Sequence, residues 1–161
     1  MGCGTGLVGE QLKSLSKLDN INLFGCDANN GMLEEANKRS IYKELKQIYL
    51  GNFEEYKTSH PDLLDRFDYI IASGVLADFH ASSDILLEMN ASLKSDGIII
   101  ITTRQSYMEE LGYQAIIDKF IENNEWKDLG KHEYEKFRKS SDAKIGDWKP
   151  IPAIRLTFKK L

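Results

Sequence analysis

The sequence predicts an α/β fold, a doubly wound, mostly parallel sheet, and three observations carry that expectation. Gly2, Gly4 and Gly6 stand at alternate positions and run straight into a helical pattern. A short apolar run, Ile21 to Cys26, is closed by Asp27, 21 positions beyond Gly6. Further short apolar runs then alternate with helix-period segments, the pattern of repeated β-α-β units.

Taken in order, the glycine-rich bend lets a ligand approach where a Cβ would block it. The helix start that follows offers unpaired amides to accepting or negatively charged groups. Val8, Leu12, Leu15 and Leu18 fall at helical spacing, and Gly9 permits close packing of that helix on a strand. Asp19-Asn20 turns the chain into strand Ile21 to Cys26, with Asp27 at its C-terminal end. A carboxylate at this distance from the glycines suits the two hydroxyls of a nucleotide ribose, and it could also cap the next helix. That helix starts near Gly31, capped by Asn29 or Asn30, with Met32, Leu33, Ala36, Tyr42 and Leu45 on its buried side. Gln47 to Leu50 reads as a strand leading to Gly51-Asn52-Phe53, and Glu54 to Asp65 as a polar connection with one helical turn.

Phe67 to Ala72 is a buried strand, and Ser73-Gly74-Val75-Leu76 opens a loop at the carboxyl edge, where such sheets bind ligands. Ser82 or Ser83 caps a helix whose Ile85, Leu86, Met89 and Leu93 share a face, ended by Ser95-Asp96-Gly97. Ile98 to Thr102 is β-branched without alternation, which predicts a strand covered on both faces. A helix over 107–123, weakened at Gly112, a strand within 126–139, a loop over 140–152 and a last strand with Ile154, Leu156 and Phe158 complete the chain.

The glycine loop alone leaves the cofactor open, since Gly4-Thr5-Gly6-Leu7-Val8-Gly9 also satisfies the dinucleotide fingerprint of NAD proteins. The following stretch separates the two. Gly2-Cys3-Gly4-Thr5-Gly6, with Gly25-Cys26-Asp27-Ala28-Asn29-Asn30-Gly31-Met32-Leu33-Glu34-Glu35-Ala36, resembles motifs I and II of the class I S-adenosylmethionine-dependent methyltransferases. The continuation through Tyr42 and Leu45 is similar to the Williams-Beuren-region methyltransferase-like branch. The resemblance implies a Rossmann-like methyltransferase sheet with an antiparallel C-terminal strand and S-adenosyl-L-methionine as cofactor. It implies cofactor contacts at Gly2, Cys3, Gly4, Gly6, Asp27, Ala28, Met32, Asn52, Phe53 and Ser73. Met32 matches the apolar residue that packs on the adenine ring. Asn52 stands where the family usually has Asp toward the adenine amino group, and its side-chain oxygen can still accept. Phe67-Asp68-Tyr69-Ile70 resembles the family's fourth strand. The Asn/Asp-Pro-Pro-Tyr/Phe signature of amide- and base-modifying N-methyltransferases and the nucleophilic Cys of cytosine C5 enzymes do not occur after it. In the family an acidic residue ending a central strand precedes the glycine loop, and Met1 occupies the position just after it. A single methyltransferase-like domain over residues 1–161, N-terminally truncated and lacking its first strand, is therefore expected.

With 161 residues, 42% hydrophobic, the chain can bury one core. It has no apolar run long enough to span a membrane and no signal-peptide pattern, which predicts a cytoplasmic protein without membrane partners. Cys3 and Cys26 lack zinc or CxxC spacing and read as small apolar filler. Residues 1–126 carry 11 Lys or Arg against 20 Asp or Glu, and residues 127–161 carry 10 against 5. The basic tail is interleaved with acids, a solvated face rather than a nucleic-acid surface.

Methyl transfer asks the protein for approach geometry, exclusion of water and, for a weak nucleophile, a base. Edge loops supply the acceptor-side candidates: Asp78 and His80 as catalytic groups, Arg104 and Tyr107 as substrate contacts, with no metal. His80 is the best general base because its ordinary titration range lies nearest neutrality. The expected function is S-adenosylmethionine-dependent methyl transfer to a small-molecule acceptor. An NAD-dependent reductase, for which 161 residues leave little room for a substrate domain, and a non-catalytic cofactor-binding remnant are the alternatives.

Overall fold

A computed structural model of the chain describes residues 1–15, 20–78, 80–139 and 148–161. Its elements run α1 (Leu7–Ser14), β1 (Leu23–Asp27), α2 (Asn30–Lys38), β2 (Tyr42–Gln47), α3 (Phe53–Ser59), a 3-10 turn (Pro61–Leu63) and β3 (Phe67–Ser73). They continue as α4 (Ile85–Ser92), β4 (Leu93–Arg104), α5 (Tyr107–Glu110), α6 (Tyr113–Glu122), β5 (Trp126–Lys139) and β6 (Trp148–Lys160).

The strands form two sheets, a parallel pair β1-β2 and a four-stranded sheet in the order β3-β4-β6-β5. β3 and β4 are parallel, and β6 is antiparallel to both its neighbours, so the late antiparallel pair expected from the sequence is present. The sheets meet through an edge-to-face contact of Phe24 with Phe67, ring centroids 5.5 Å apart, with the Arg66 guanidinium 4.4 Å from the Phe24 ring. Residues 1 and 3 bridge them at the carboxyl edge. The Met1 amino group donates to Ile71 O at 2.9 Å, and Cys3 N donates to Cys26 O at 2.8 Å.

The main core lies on one face of the larger sheet, where Ile70, Ala72, Ile99 and Ile101 pack against Leu86 and Met89 of α4 and Ile117 and Phe120 of α6. Trp126 closes it, stacked on Phe120 at 4.4 Å and lying 5.1 Å from Phe158, while its indole N–H donates to Asn90 Oδ1 at 2.9 Å.

Five expectations are corrected. Tyr42 and Leu45 do not line a helix. α2 stops at Lys38, Ser40 takes a left-handed backbone (φ 53°), and Tyr42–Gln47 is strand β2, which lies earlier than the expected 47–50. The three-residue spacing of Tyr42 and Leu45 imitates a helix, but β1 offers a parallel partner in register, Gly25 beside Leu45. In α1, Val8 and Leu15 are exposed. The helix packs through buried Gly9, where a Cβ would lie 2.3 Å from the Tyr42 hydroxyl, and Leu18 lies outside the described residues. Ile98–Thr102 is not covered on both faces: Ile99 and Ile101 are fully buried, but Ile98 and Ile100 are half-buried because the main core sits on the other side. The expected single helix over 107–123 is two, α5 and α6, broken where Gly112 turns left-handed (φ 73°). Of the loop expected over 140–152, residues 140–147 lie outside the described residues, and 148–152 belong to β6.

Candidate functional site

The bend at residues 1–6 is built from positive-φ backbone at Gly2, Gly4 and Gly6 (61°, 52° and 85°), conformations that cost an L side chain strain. Gly2 is also sterically compelled. A Cβ there would lie 2.1 Å from Val75 Cγ2, so the bend rests directly on the turn that leaves β3. Its rear is pinned by Arg39, the C-cap of α2, which donates from Nε to Thr5 O at 2.6 Å and pairs with Glu10 of α1 at 2.6 Å.

Asp27, at the C-terminal end of β1, closes the front. Its Oδ2 accepts from Gly4 N at 2.8 Å and its Oδ1 from Asn29 N at 3.0 Å. The bend and the carboxylate are thus joined directly by the Gly4 N to Asp27 Oδ2 bond. A carboxylate offers about four acceptor positions, and these two bonds use one on each oxygen, leaving two for a vicinal diol. Met32, on the first turn of α2 and exposed, has its sulfur 3.9 Å from where a Gly4 Cβ would sit, so a side chain at Gly4 would come into van der Waals contact with it. Ala28 is exposed beside them, and its carbonyl accepts from Gln47 Nε2 at 2.9 Å. Burial, its largest cause, pushes the Cys3 thiol up to about 11, and a thiol that stays protonated at neutral pH makes a poor nucleophile.

Asn52 and Phe53 occupy the turn after β2. Asn52 is the N-cap of α3: its Oδ1 accepts from Glu55 N at 3.3 Å, and its Nδ2 donates to Glu55 Oε2 at 3.2 Å. Phe53 is half-buried, with Lys57 Nζ 4.5 Å from its ring centroid. Ser73 ends β3, where its hydroxyl hydrogen-bonds that of Thr102 on β4 at 2.9 Å.

On the acceptor side, Asp78 and His80 are exposed and line a recess of about 580 Å³ with Ala77, Ala81, Ser82, Ser83 and Leu111. His80 Nδ1 lies 2.8 Å from Asp78 O. A carbonyl only accepts, so this contact fixes the tautomer with the proton on Nδ1 and leaves Nε2 as the basic nitrogen. Arg104 and Tyr107 leave β4 together, the guanidinium 5.0 Å from the ring centroid.

The structure therefore brings Gly2, Cys3, Gly4, Gly6, Asp27, Ala28 and Met32 together around the bend and the end of β1, with Gly2 packed on Val75 and Gly6 facing Arg39, Tyr42 and Ala36. Ser73 and Arg104 end β3 and β4, Asn52, Asp78 and His80 lie in the connections after β2 and β3, and Phe53 and Tyr107 open α3 and α5, Tyr107 with its side chain buried in the main core rather than open to a substrate. Sequence reasoning missed Arg39, Val75 and Glu88. Glu88 sits alone among the apolar residues of α4, fully buried, and its Oε1 accepts from Gly51 N at 2.8 Å and Asn52 N at 2.9 Å. An acid inside the run Ile85 to Met89 was the available signal.

A glycine bend against the carboxylate that ends β1, beside a second sheet whose last strand runs antiparallel, is the arrangement of a class of nucleotide-cofactor α/β proteins. Within that class the family described as "Methyltransferase domain" matches residues 1–148, and the chain belongs to it. It is 29% identical over 134 residues to methyltransferase-like protein 27 of Homo sapiens, covering 80% of this chain and 50% of that protein. It is 26% identical over 145 residues to the ubiquinone biosynthesis O-methyltransferase of Pelagibacter ubique (strain HTCC1062), covering 88% of this chain and 55% of that one. The chain spans about half the length of these curated relatives. Among solved structures, the precorrin-6y C5,15-methyltransferase of Geobacter metallireducens shares the fold at a TM-score of 0.62 and 16% identity, over 99% of this chain and 77% of that one. An S-adenosylmethionine-dependent methyltransferase from Anabaena variabilis does so at 0.58 and 16%, over 99% and 75%.

Proposed function

We propose that the chain binds S-adenosyl-L-methionine and transfers its methyl group to a small-molecule acceptor in the cytoplasm. The observation that carries this reading is the Asp27 carboxylate, hydrogen-bonded to Gly4 N yet retaining acceptor positions toward a crevice that a side chain at Gly4 would enter. The residues fit the cofactor: Asp27 would take the ribose diol, the side-chain-free backbone of residues 2–6 its amino-acid arm, and Met32 and Phe53 the faces of its adenine. When bound, that cofactor supplies a methyl group on a sulfonium centre already activated for displacement. The protein then has to aim the acceptor and take its proton. His80 Nε2 is the group for the proton, since Nδ1 is held by the Asp78 carbonyl. Arg104, stacked on Tyr107, would pair with an acidic group of the acceptor.

A further strand between β1 and β3 belongs to this proposal. Around the Phe24–Phe67 contact the two sheets are bridged at the carboxyl edge by single hydrogen bonds from residues 1 and 3. Strand edges are stable when paired or covered.

The test is transfer of labelled methyl from S-adenosylmethionine to a panel of small hydroxy, carboxy and amino acids and phenols, with Asp27→Ala as control. Transfer that D27A abolishes supports the reading. A folded protein that neither transfers methyl nor binds S-adenosylhomocysteine overturns it.

A further inference from the structure

Glu88 is fully buried on α4, outside the crevice, and methyl transfer as derived above makes no use of it. Its two oxygens are treated very differently. Oε1 accepts from two successive amides, Gly51 N and Asn52 N, whereas Oε2 is buried with no hydrogen-bond partner among the described residues. The same short segment grips the turn twice more: Ser82 Oγ donates to Gly51 O at 2.6 Å, and Asp84 Oδ2 faces Phe53 N at 3.5 Å. The fit is tight, for a Cβ on Gly51 (φ 102°) would lie 2.6 Å from Ser82 N. The turn so clamped carries Asn52 and Phe53, and the clamping segment begins at Ser82 and Ser83 in the recess that Asp78 and His80 also line.

We propose that Glu88 is a positioning residue which, in its uncharged form, holds the Gly51–Phe53 turn as the adenine-side wall of the cofactor crevice, and that its ionisation releases the turn. This rests on the cofactor reading above. The direction follows from the surroundings. The groups that bear on Glu88 are Asp84, a negative charge one turn back on its own segment, and Tyr56 of α3, whose phenol burial pushes up to about 12 and so stays neutral. Among the described residues no cation pairs with Glu88. An ionised Glu88 would therefore keep a desolvated oxygen with no partner, which only water admitted by an open turn relieves.

Burial, the largest cause, accordingly moves the carboxyl from an ordinary 4.5 up to about 7, against the opposing pull of the two amides. With the closed turn raising the value, closure is favoured at low pH and its advantage is lost as pH rises through about 7. The two values bound the effect on the closed-to-open ratio at roughly 300-fold.

The experiment measures S-adenosylhomocysteine affinity by calorimetry at pH 6 and pH 8, together with hydrogen exchange at the Gly51 and Asn52 amides without ligand. In the wild type the affinity falls by at least about threefold from pH 6 to pH 8, and both amides lose protection beyond the intrinsic pH effect. Glu88→Gln, uncharged and of the same shape, keeps the pH 6 affinity and protection at both values. Glu88→Ala is weaker at both. Should E88A fail to fold, Ser82→Ala, which frees the other side of the turn, lowers affinity at both values. E88Q following the wild-type pH profile, or E88A or S82A binding as the wild type does, overturns the proposal. A wild type that shows the exchange pattern but never binds S-adenosylhomocysteine overturns the cofactor reading instead.

Discussion

Replacing Asp27 by asparagine tests the centre of the crevice with almost no change of shape. The carboxylate accepts from Gly4 N on one oxygen and from Asn29 N on the other. An amide has one accepting oxygen, so one of these N–H groups must face the new NH2. Losing that acceptor costs about 1–3 kcal/mol of stability, since a hydrogen bond to a charged group contributes that much and the donor is left unpaired. A bound diol loses a comparable charge-assisted bond, on the order of 10- to 100-fold in affinity at about 1.4 kcal/mol per decade. Urea unfolding reads the first effect and calorimetric titration with S-adenosylhomocysteine the second. A D27N protein that loses stability as worked but binds within about twofold of the wild type would refute the reasoning: the carboxylate would brace the loop and touch no ligand.

Other outcomes follow from the same geometry. Gly2→Ala places a methyl 2.1 Å from Val75 Cγ2 at a left-handed φ, and is expected to lower stability by about 1–3 kcal/mol and to weaken cofactor binding; Val75→Ala in the same protein recovers only the steric part, as thermal unfolding will show. Because the folded-state value of Glu88 is raised from 4.5 to about 7, the stability its proton confers is fully present below 4.5 and gone above about 7; urea unfolding of wild type against E88Q should diverge by about 3 kcal/mol across that window, with the wild type the weaker at high pH. His80→Ala should lower kcat by on the order of 10²- to 10⁴-fold, the range of a general base, and leave S-adenosylhomocysteine affinity unchanged. Trp126→Ala, which empties the space between Phe120 and Phe158 and orphans Asn90 Oδ1, should cost about 3–5 kcal/mol in chemical unfolding.

The parts of the fold legible in the sequence were those where one local signal had one physical meaning. The glycine bend, Asp27 at a strand end and the strand from Phe67 fall where expected, because glycine backbone geometry and runs of β-branched and aromatic residues leave few alternatives; that strand is not buried throughout as expected, since Asp68 and Tyr69 are exposed. Tyr42 and Leu45 were misleading because a three-residue spacing suits a helix, while the strand they form is chosen by its neighbour β1, which no local window contains. Ile98 and Ile100 were misleading for a related reason: how much of a strand's second face is covered depends on elements distant in sequence. In the site, Asp27 announced itself by spacing, but Glu88 did not. A single acid on an apolar helix face carries meaning only once Gly51 N and Asn52 N are seen to point at it. Asn52 shows the converse, since the structure uses the side chain matched to an adenine contact as the N-cap of α3.

The most direct measurement is calorimetric titration of the full chain with S-adenosylhomocysteine and, separately, with NADH. The cofactor site proposed at Gly2, Gly4, Asp27 and Met32 predicts saturable binding of S-adenosylhomocysteine and no heat from NADH. Binding of NADH alone, or of neither by protein that melts cooperatively, would contradict it.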